Sequence, residues 1–153
     1  MPSRYHEVYD GWAHDPEGFW AEAARAIDWF KPWDKVFDAE GGVYGQWFAG
    51  AECNTCYNAL DRHVQDGRAE QVALIHDSPI TGTQQKFTYA GLLAEVNALA
   101  SVLQDQGVGK GDRVIIYMPM VPEALEAMLA CARLGAIHSV VFGGFASHSL
   151  ASR

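Results

Sequence analysis

The clearest pattern of apolar and polar positions lies in the second half of the chain. Apolar residues spaced three or four apart predict two helices, one that ends at Gly107 and one that runs from Pro122 to Gly135. The short apolar runs at 112–118 and 136–142, which alternate with these helices, are typical of buried strands. The order helix, strand, helix, strand with short connections predicts a βαβ unit. We therefore expect two parallel strands that begin a doubly wound sheet.

The first half of the chain shows a different pattern. Asp15 followed by Pro16 is typical of a helix start, and apolar residues continue at helical spacing to about Phe30. An irregular arm rich in aromatic residues and glycine then extends to Gly50, and its aromatic content predicts an ordered wrap on apolar surface. A short helix is predicted at 55–65. The runs VALIH and KFTY, separated by Ser-Pro and Thr-Gly turn signals, predict a β-hairpin.

Together these elements predict an α/β fold that is incomplete. We expect 1–68 to form an N-terminal wrap of helices and aromatic arm, and 69–153 to form the start of a larger domain. One pair of parallel strands is not a finished sheet, so the sequence predicts a piece of a longer domain. Such a piece would have an open sheet edge and exposed apolar surface, which favour self-association.

Composition narrows the classes of function. The apolar fraction of 49% and the absence of low-complexity tracts indicate a folded domain. A formal net charge of −8 without a Lys/Arg cluster argues against nucleic-acid binding. The stretch 134–152 has no charged residue, but its glycine, serine and histidine content is not that of a membrane helix.

The cysteines and one histidine are candidates for chemistry, but their contexts favour structural roles. Cys53 and Cys56 form a C-x-x-C pair that lacks the second ligand pair of a zinc site and the preceding strand of a thioredoxin-like redox site. With Cys131 the count is odd, and the start of the chain lacks the apolar region of a secretory signal, so we expect a reducing cytoplasm. His138 lies within a strand pattern and is interpreted as a core residue.

Two glycine-rich segments are candidates for a nucleotide-binding turn. The segment GVGKGD at 107–112 follows a helix and precedes a strand, which is the reverse of a dinucleotide-binding loop. Gly107 is therefore predicted to end a helix, and the two glycines after it to form a turn. The segment FGGF at 142–145 follows a predicted parallel strand, where ligands bind in open α/β sheets. A plain turn that needs positive φ is the equally weighted alternative.

Taken together, several segments resemble a known family. DPEGFWAEAARAIDWFKPWDKV, WFAGAECNTCYNALDRH, FTYAGLLAEV and GVGKGDRVIIYMPMVPEALEAMLACARLGAIHSVVFGGF occur in this order. They resemble the N-terminal region of AMP-forming short-chain acyl-CoA synthetases, the acetyl- and propionyl-CoA synthetase group. The resemblance extends from about Tyr9 to Arg153. The short N-terminus and the sequence YNALDRH favour the propionyl-CoA branch.

The resemblance implies an acid–thiol ligase of the adenylate-forming fold. Such an enzyme would activate propionate or acetate with MgATP to an acyl-adenylate and then transfer the acyl group to CoA. The family's phosphate-binding loop, its later acidic and arginine residues and its mobile C-terminal domain have no counterpart in the sequence, so the chain alone is expected to be inactive. The residues that measure the acyl chain are expected beyond Arg153.

The resemblance also assigns roles to individual residues. Phe142, Gly143 and Gly144 are expected to contact CoA, and no catalytic residue or metal ligand is assigned within the chain. Asp61 and its two neighbours in the DRH sequence are expected to tie the N-terminal arm to the body. Two hypotheses without catalysis remain beside the ligase: an α/β module that binds CoA or a nucleotide through FGGF, and an interaction protein that associates through its open sheet edge.

Overall fold

The computed structural model describes residues 3–144 and 147–152. The chain divides into two compact units, the first ending at Cys53 and the second beginning at Asn54. The domain boundary predicted after residue 68 stays a prediction, because the compact units of a chain need not be the domains of a longer fold. No helix in the described ranges is long and apolar enough to cross a membrane.

The first unit consists of two helices and a small antiparallel sheet. The helices are α1 (Tyr5–His14) and α2 (Pro16–Ala23), and α2 continues into a 3₁₀ turn at Ala24–Ala26. The strands are β1 (Lys35–Asp38) and β2 (Gln46–Ala49). The arm that was expected to be irregular therefore contains a strand pair, in which Phe37 lies opposite Trp47.

The start of α2 confirms the predicted cap, but its end does not match the prediction. The Asp15 carboxylate accepts a hydrogen bond of 3.0 Å from the backbone N–H of Gly18. The helix was expected to reach about Phe30, yet the backbone becomes extended at Ile27. The Trp29 indole N–H donates to the Ala24 carbonyl at 2.8 Å and satisfies one of the free carbonyls at the helix end. Phe30 then donates to the Glu52 carbonyl, so the chain has left the helix.

The second unit contains the remaining elements. Residues 55–68 are helical, with wide π-type turns at Tyr57–Asp61 and Val64–Arg68. The elements that follow are the antiparallel hairpin β3 (Val72–Ser78) and β4 (Thr83–Thr88), helix α3 (Tyr89–Asp105), strand β5 (Arg113–Met118), helix α4 (Pro122–Leu134), strand β6 (Ile137–Phe142) and helix α5 (Ser147–Ala151). The hairpin, both helices and both later strands confirm the sequence predictions.

The core of the second unit is built around α3. Leu92, Val96 and Ala100 are almost fully buried on one face of this helix, as their spacing predicts. The rest of the cluster comes from residues 55–68 and from α4, namely Cys56, Leu60 and Ala130. The segment at 55–68 and the two helices therefore share one core.

Strands β5 and β6 are parallel neighbours joined through α4. Arg113 pairs with Ile137 at one end of the ladder, and Met118 pairs with Phe142 at the other. This register confirms the predicted βαβ unit. In the part of the chain that the structure describes, the parallel sheet has two strands. Self-association at a sheet edge stays a prediction.

The segment GVGKGD ends a helix and forms a turn, as predicted. Gly107 has φ +87° and its N–H donates to the Gln104 carbonyl, while the Val108 N–H donates to the Leu103 carbonyl. This is a Schellman motif, in which glycine adopts the left-handed conformation at little cost. The carboxylate of Asp112 then accepts a hydrogen bond of 2.8 Å from the Gly109 N–H.

We expect Gly107→Ala to lower the free energy of unfolding by about 1 kcal/mol, because alanine is strained at positive φ. A Cβ at this position would meet no atom within 4 Å. The loss of stability therefore measures backbone strain without a contribution from steric clash. Urea unfolding followed by circular dichroism measures the change. Gly91→Ala, at a helical glycine near the start of α3, is the control and should stabilise by about 0.5 kcal/mol. Equal effects of the two substitutions would contradict the prediction.

Candidate functional site

The candidate site lies where the two parallel strands end. Met118 and Phe142 are paired, so the loop after β5 and the turn after β6 leave the sheet side by side. Gly143 and Gly144 form that turn, and Phe142 exposes 62% of its surface beside it. Phe145, the last residue of the FGGF segment, lies outside the described residues. The carboxyl ends of parallel strands are where open α/β sheets place ligands.

Close packing, and not positive φ, constrains Gly143 in this turn. Neither Gly143 nor Gly144 has a φ in the left-handed region, so the positive φ expected for a plain turn is not found, while the choice between a plain turn and a ligand-binding turn stays a prediction. A Cβ on Gly143 would lie 3.3 Å from the backbone nitrogen of Pro119 and 3.4 Å from the carbonyl oxygen of Met118. A side chain at Gly143 would therefore make unusually tight contacts with the backbone after β5. The Tyr117 hydroxyl donates a hydrogen bond of 3.2 Å to the Gly143 carbonyl and ties the turn to β5.

A large apolar cavity opens beside this turn. Its volume is about 640 Å³, within the range of small-molecule sites. Three walls enclose it: β3 at Leu74–Asp77, the loop Met118–Pro122, and the face of α4 that carries Leu125 and Met128. Phe142 completes the lining. The sequence did not predict β3 and the loop as parts of this site, because no local pattern shows which strand faces which helix.

The chemistry of the cavity suits the apolar and amide part of a ligand. None of the described residues that line it is Lys or Arg, so it offers no cationic side chain to a phosphate. Its titratable members are His76 and Asp77, and the Asp77 carboxylate accepts a hydrogen bond of 3.0 Å from the Gln84 side chain. A narrow chain with amide groups could lie along the glycine turn, where the backbone is accessible.

A polar cluster fastens the last turn of α4 to the segment at 54–61. The Arg133 guanidinium pairs with both carboxylate oxygens of Asp61, at 2.6 Å and 3.2 Å. The Asn54 side chain donates to the carbonyls of Ala132 and Arg133, at 3.2 Å and 3.0 Å, and so caps the helix. All these contacts lie inside the second unit. The expected link from the DRH sequence to the N-terminal arm stays a prediction.

The cysteines and His138 lie apart from the candidate site. All three cysteines are free thiols, and Cys53 is exposed while Cys56 and Cys131 are buried. Burial raises the pKa of the Cys56 thiol, which keeps it protonated and a poor nucleophile or metal ligand. His138 is half-buried in β6, opposite Val114. In the described ranges, no three His, Cys, Asp or Glu side chains come close enough to hold a metal ion.

Two family models match the chain over consecutive segments. Residues 5–59 match the family model described as the acetyl-coenzyme A synthetase N-terminus, and residues 60–153 match the model described as AMP-binding enzyme. The chain belongs to the AMP-binding enzyme family. The resemblance stated from the sequence is thereby confirmed. AMP-binding enzymes of this group are AMP-forming acyl-CoA ligases.

The similar proteins are short-chain acyl-CoA synthetases. Human acyl-CoA synthetase short-chain family member 3, mitochondrial, is 49% identical over 99% of this chain and 22% of its own length. The propionate–CoA ligase of Salmonella typhimurium is 49% identical over 97% of this chain and 24% of its own. The acetyl-coenzyme A synthetase of Methylorubrum populi is 50% identical over 99% of this chain and 24% of its own. The chain thus spans about a quarter of the length of these relatives.

The fold comparison agrees. The acetoacetyl-CoA synthetase from Streptomyces lividans superposes with a TM-score of 0.81 at 29% identity, over 93% of this chain and 22% of that chain. The predicted adenylate-forming fold, with incomplete sheets, is confirmed. The chain is almost equally identical in sequence to the acetyl-CoA synthetase and to the propionate–CoA ligase. Its assignment to the propionyl-CoA branch therefore stays a prediction.

Proposed function

We propose that this chain supplies the N-terminal part of an acid–thiol ligase that joins a short-chain carboxylate to CoA. The observation that carries the proposal is the unbroken match of 5–153 to two consecutive family models. The relatives named as propionate–CoA ligase and acetyl-coenzyme A synthetase support a two- or three-carbon acid as the substrate. In this reaction the carboxylate attacks the α-phosphate of ATP, pyrophosphate leaves, and the CoA thiol then displaces AMP.

We assign the turn at Phe142, Gly143 and Gly144 to the CoA substrate. The absence of Lys and Arg from the described lining of the adjacent cavity favours the amide-containing arm of CoA over its phosphates. The exposed Phe142 ring offers an apolar surface for that arm, and Gly143 and Gly144 beside it are also exposed. These residues bind and orient, and we assign no proton transfer to them.

The described residues do not fit a magnesium site. Among the residues that the structure describes, no three metal-ligating side chains are grouped, and we assign none of them to the metal that accompanies ATP. We propose that their contribution to the reaction is to position the backbone that contacts CoA. The Tyr117–Gly143 hydrogen bond and the paired ends of β5 and β6 fix that backbone.

A chimeric enzyme tests the proposal. This chain replaces the aligned segment of the Salmonella typhimurium propionate–CoA ligase, with which it shares 49% identity over 149 residues. We expect the chimera to form propionyl-CoA, and Gly144→Val in it to raise the KM for CoA about tenfold and more than the KM for propionate. Gly107→Ala, at a glycine outside the turn, should leave the ratio of the two KM values unchanged.

Two results would contradict the proposal. A chimera that is folded by circular dichroism but forms no propionyl-CoA would reject the ligase assignment. An active chimera in which Gly144→Val changes both KM values equally would reject the CoA contact while leaving the ligase assignment in place.

A further inference from the structure

A second cleft, separate from the CoA turn, is lined by three carboxylates. It lies among β4, the first turns of α3 and the first turns of α4, and has a volume of about 390 Å³. Glu95 comes from α3, and Glu123 and Glu126 come from α4. The rest of the lining is Gln85, Phe87, Gly91 and Pro122. None of the described residues that line the cleft is basic, so its charge is strongly negative.

Glu126 distinguishes this cleft from a solvated acidic surface. Only 9% of the residue is exposed, and it is the one charged residue among the described buried positions. Within the described part of the chain its carboxylate has no hydrogen bond or ion pair, and the side chain lines the open cleft. Burial raises its pKa, and the nearby Glu123 and Glu95 raise it further. A poorly hydrated carboxylate that faces two others is stabilised by a ligand that supplies positive charge.

The lining indicates which cation fits. A divalent metal ion needs several ligands converging within about 2–2.5 Å, and the described carboxylates do not form such a group. A guanidinium or primary ammonium group instead carries several donors that reach separated carboxylates. Phe87 adds an aromatic ring, which attracts such cations and contacts an alkyl chain, and the Gln85 side chain adds an acceptor.

We propose that this cleft binds an organic cation, a guanidinium or primary ammonium group on a short alkyl chain, through Glu95, Glu123 and Glu126. The group comes either from a free small molecule or from an Arg or Lys side chain. This site does not depend on the proposed ligase function, because its three carboxylates lie outside the cavity beside the CoA turn and the two linings have only Pro122 in common among the described residues.

Calorimetric titration of the 153-residue chain with N-butylguanidinium tests the site, at a fixed ionic strength of about 0.1 M to limit general attraction to the acidic protein. We expect saturable binding with one site per chain. N-butylurea has the same shape without the charge and should bind at least about tenfold more weakly. Glu126→Gln should weaken binding of the cation by about tenfold or more. Glu70→Gln, at an exposed glutamate outside the cleft, should change it less than about twofold.

A second measurement needs no variant. Bound cation favours the ionised carboxylate, so N-butylguanidinium should lower the pKa of Glu126 that is followed by carboxyl ¹³C NMR. An unchanged Glu126 pKa, equal binding of N-butylurea, or equal effects of Glu126→Gln and Glu70→Gln would each overturn the proposal. Preferential binding of Mg²⁺ at the same carboxylates would also overturn it. Competition between N-butylguanidinium and an Arg-containing peptide then assigns the source of the group.

Discussion

Asp61→Asn should lower the free energy of unfolding of the second unit by about 3 kcal/mol. Asp61 and Arg133 form a two-contact ion pair whose side chains are only 18% and 24% exposed. Asparagine removes the charge but keeps the shape, so the Arg133 guanidinium stays in a poorly hydrated position without its counter-charge. Breaking one side of a buried pair costs about 3–5 kcal/mol, much more than the pair contributes in net terms.

Two further variants separate the ion pair from simple loss of packing. Arg133→Met on its own leaves Asp61 without its partner, while Asp61→Asn with Arg133→Met leaves no charge at all. We therefore expect the double variant to be more stable than Asp61→Asn alone. Asp66→Asn removes a charge from an exposed pair with Arg68 and should change stability by less than about 0.5 kcal/mol. Additive losses in the double variant would contradict the interpretation.

The unfolding probe must report the second unit. All five tryptophans occur before Cys53, so tryptophan fluorescence follows the first unit. Amide hydrogen exchange at α3 and α4 follows the second unit directly. A loss of protection there, with an unchanged tryptophan transition, is the expected signature of Asp61→Asn.

Local sequence signals predicted the elements whose causes are themselves local. Helix α3, the helix end at Gly107 and the β5–α4–β6 order follow from spacing and from glycine chemistry, and the structure confirms them. The same kind of signal was present but missed in α1, where Tyr5, Val8, Tyr9 and Trp12 recur at helical spacing. Strand pair β1–β2 was missed because short strands in an aromatic, glycine-rich arm show no alternation.

The remaining features depend on contacts between distant parts of the chain. Asp61 and Arg133 are 72 positions apart, and the sequence around neither residue predicts that they form an ion pair. Glu126 occupies a helix position where a carboxylate normally faces water, and its burial arises only when β4 and α3 close over α4. The FGGF turn was found from its position after a strand, yet the reason for Gly143 is the backbone of Pro119, which only the folded structure brings close.

Leu92→Ala should lower the free energy of unfolding of the second unit by about 3 kcal/mol. Leu92 is 2% exposed and packs in the cluster where α3, α4 and the segment at 55–68 meet. Truncation removes buried methyl groups and leaves a cavity, because neighbours held by three different elements cannot collapse into it; such changes cost about 2–5 kcal/mol. Val102→Ala, at a 56% exposed position of the same helix, removes apolar atoms without a cavity and gains helix propensity, so it should change stability little. Urea unfolding, with amide hydrogen exchange at α3 as the local probe, compares the two variants.

If Leu92→Ala and Val102→Ala lowered the free energy of unfolding equally little, α3, α4 and the segment at 55–68 would not share a packed core. The segment at 55–68, which crosses the boundary between the two family models at residue 59, would then have to be held by its polar contacts alone.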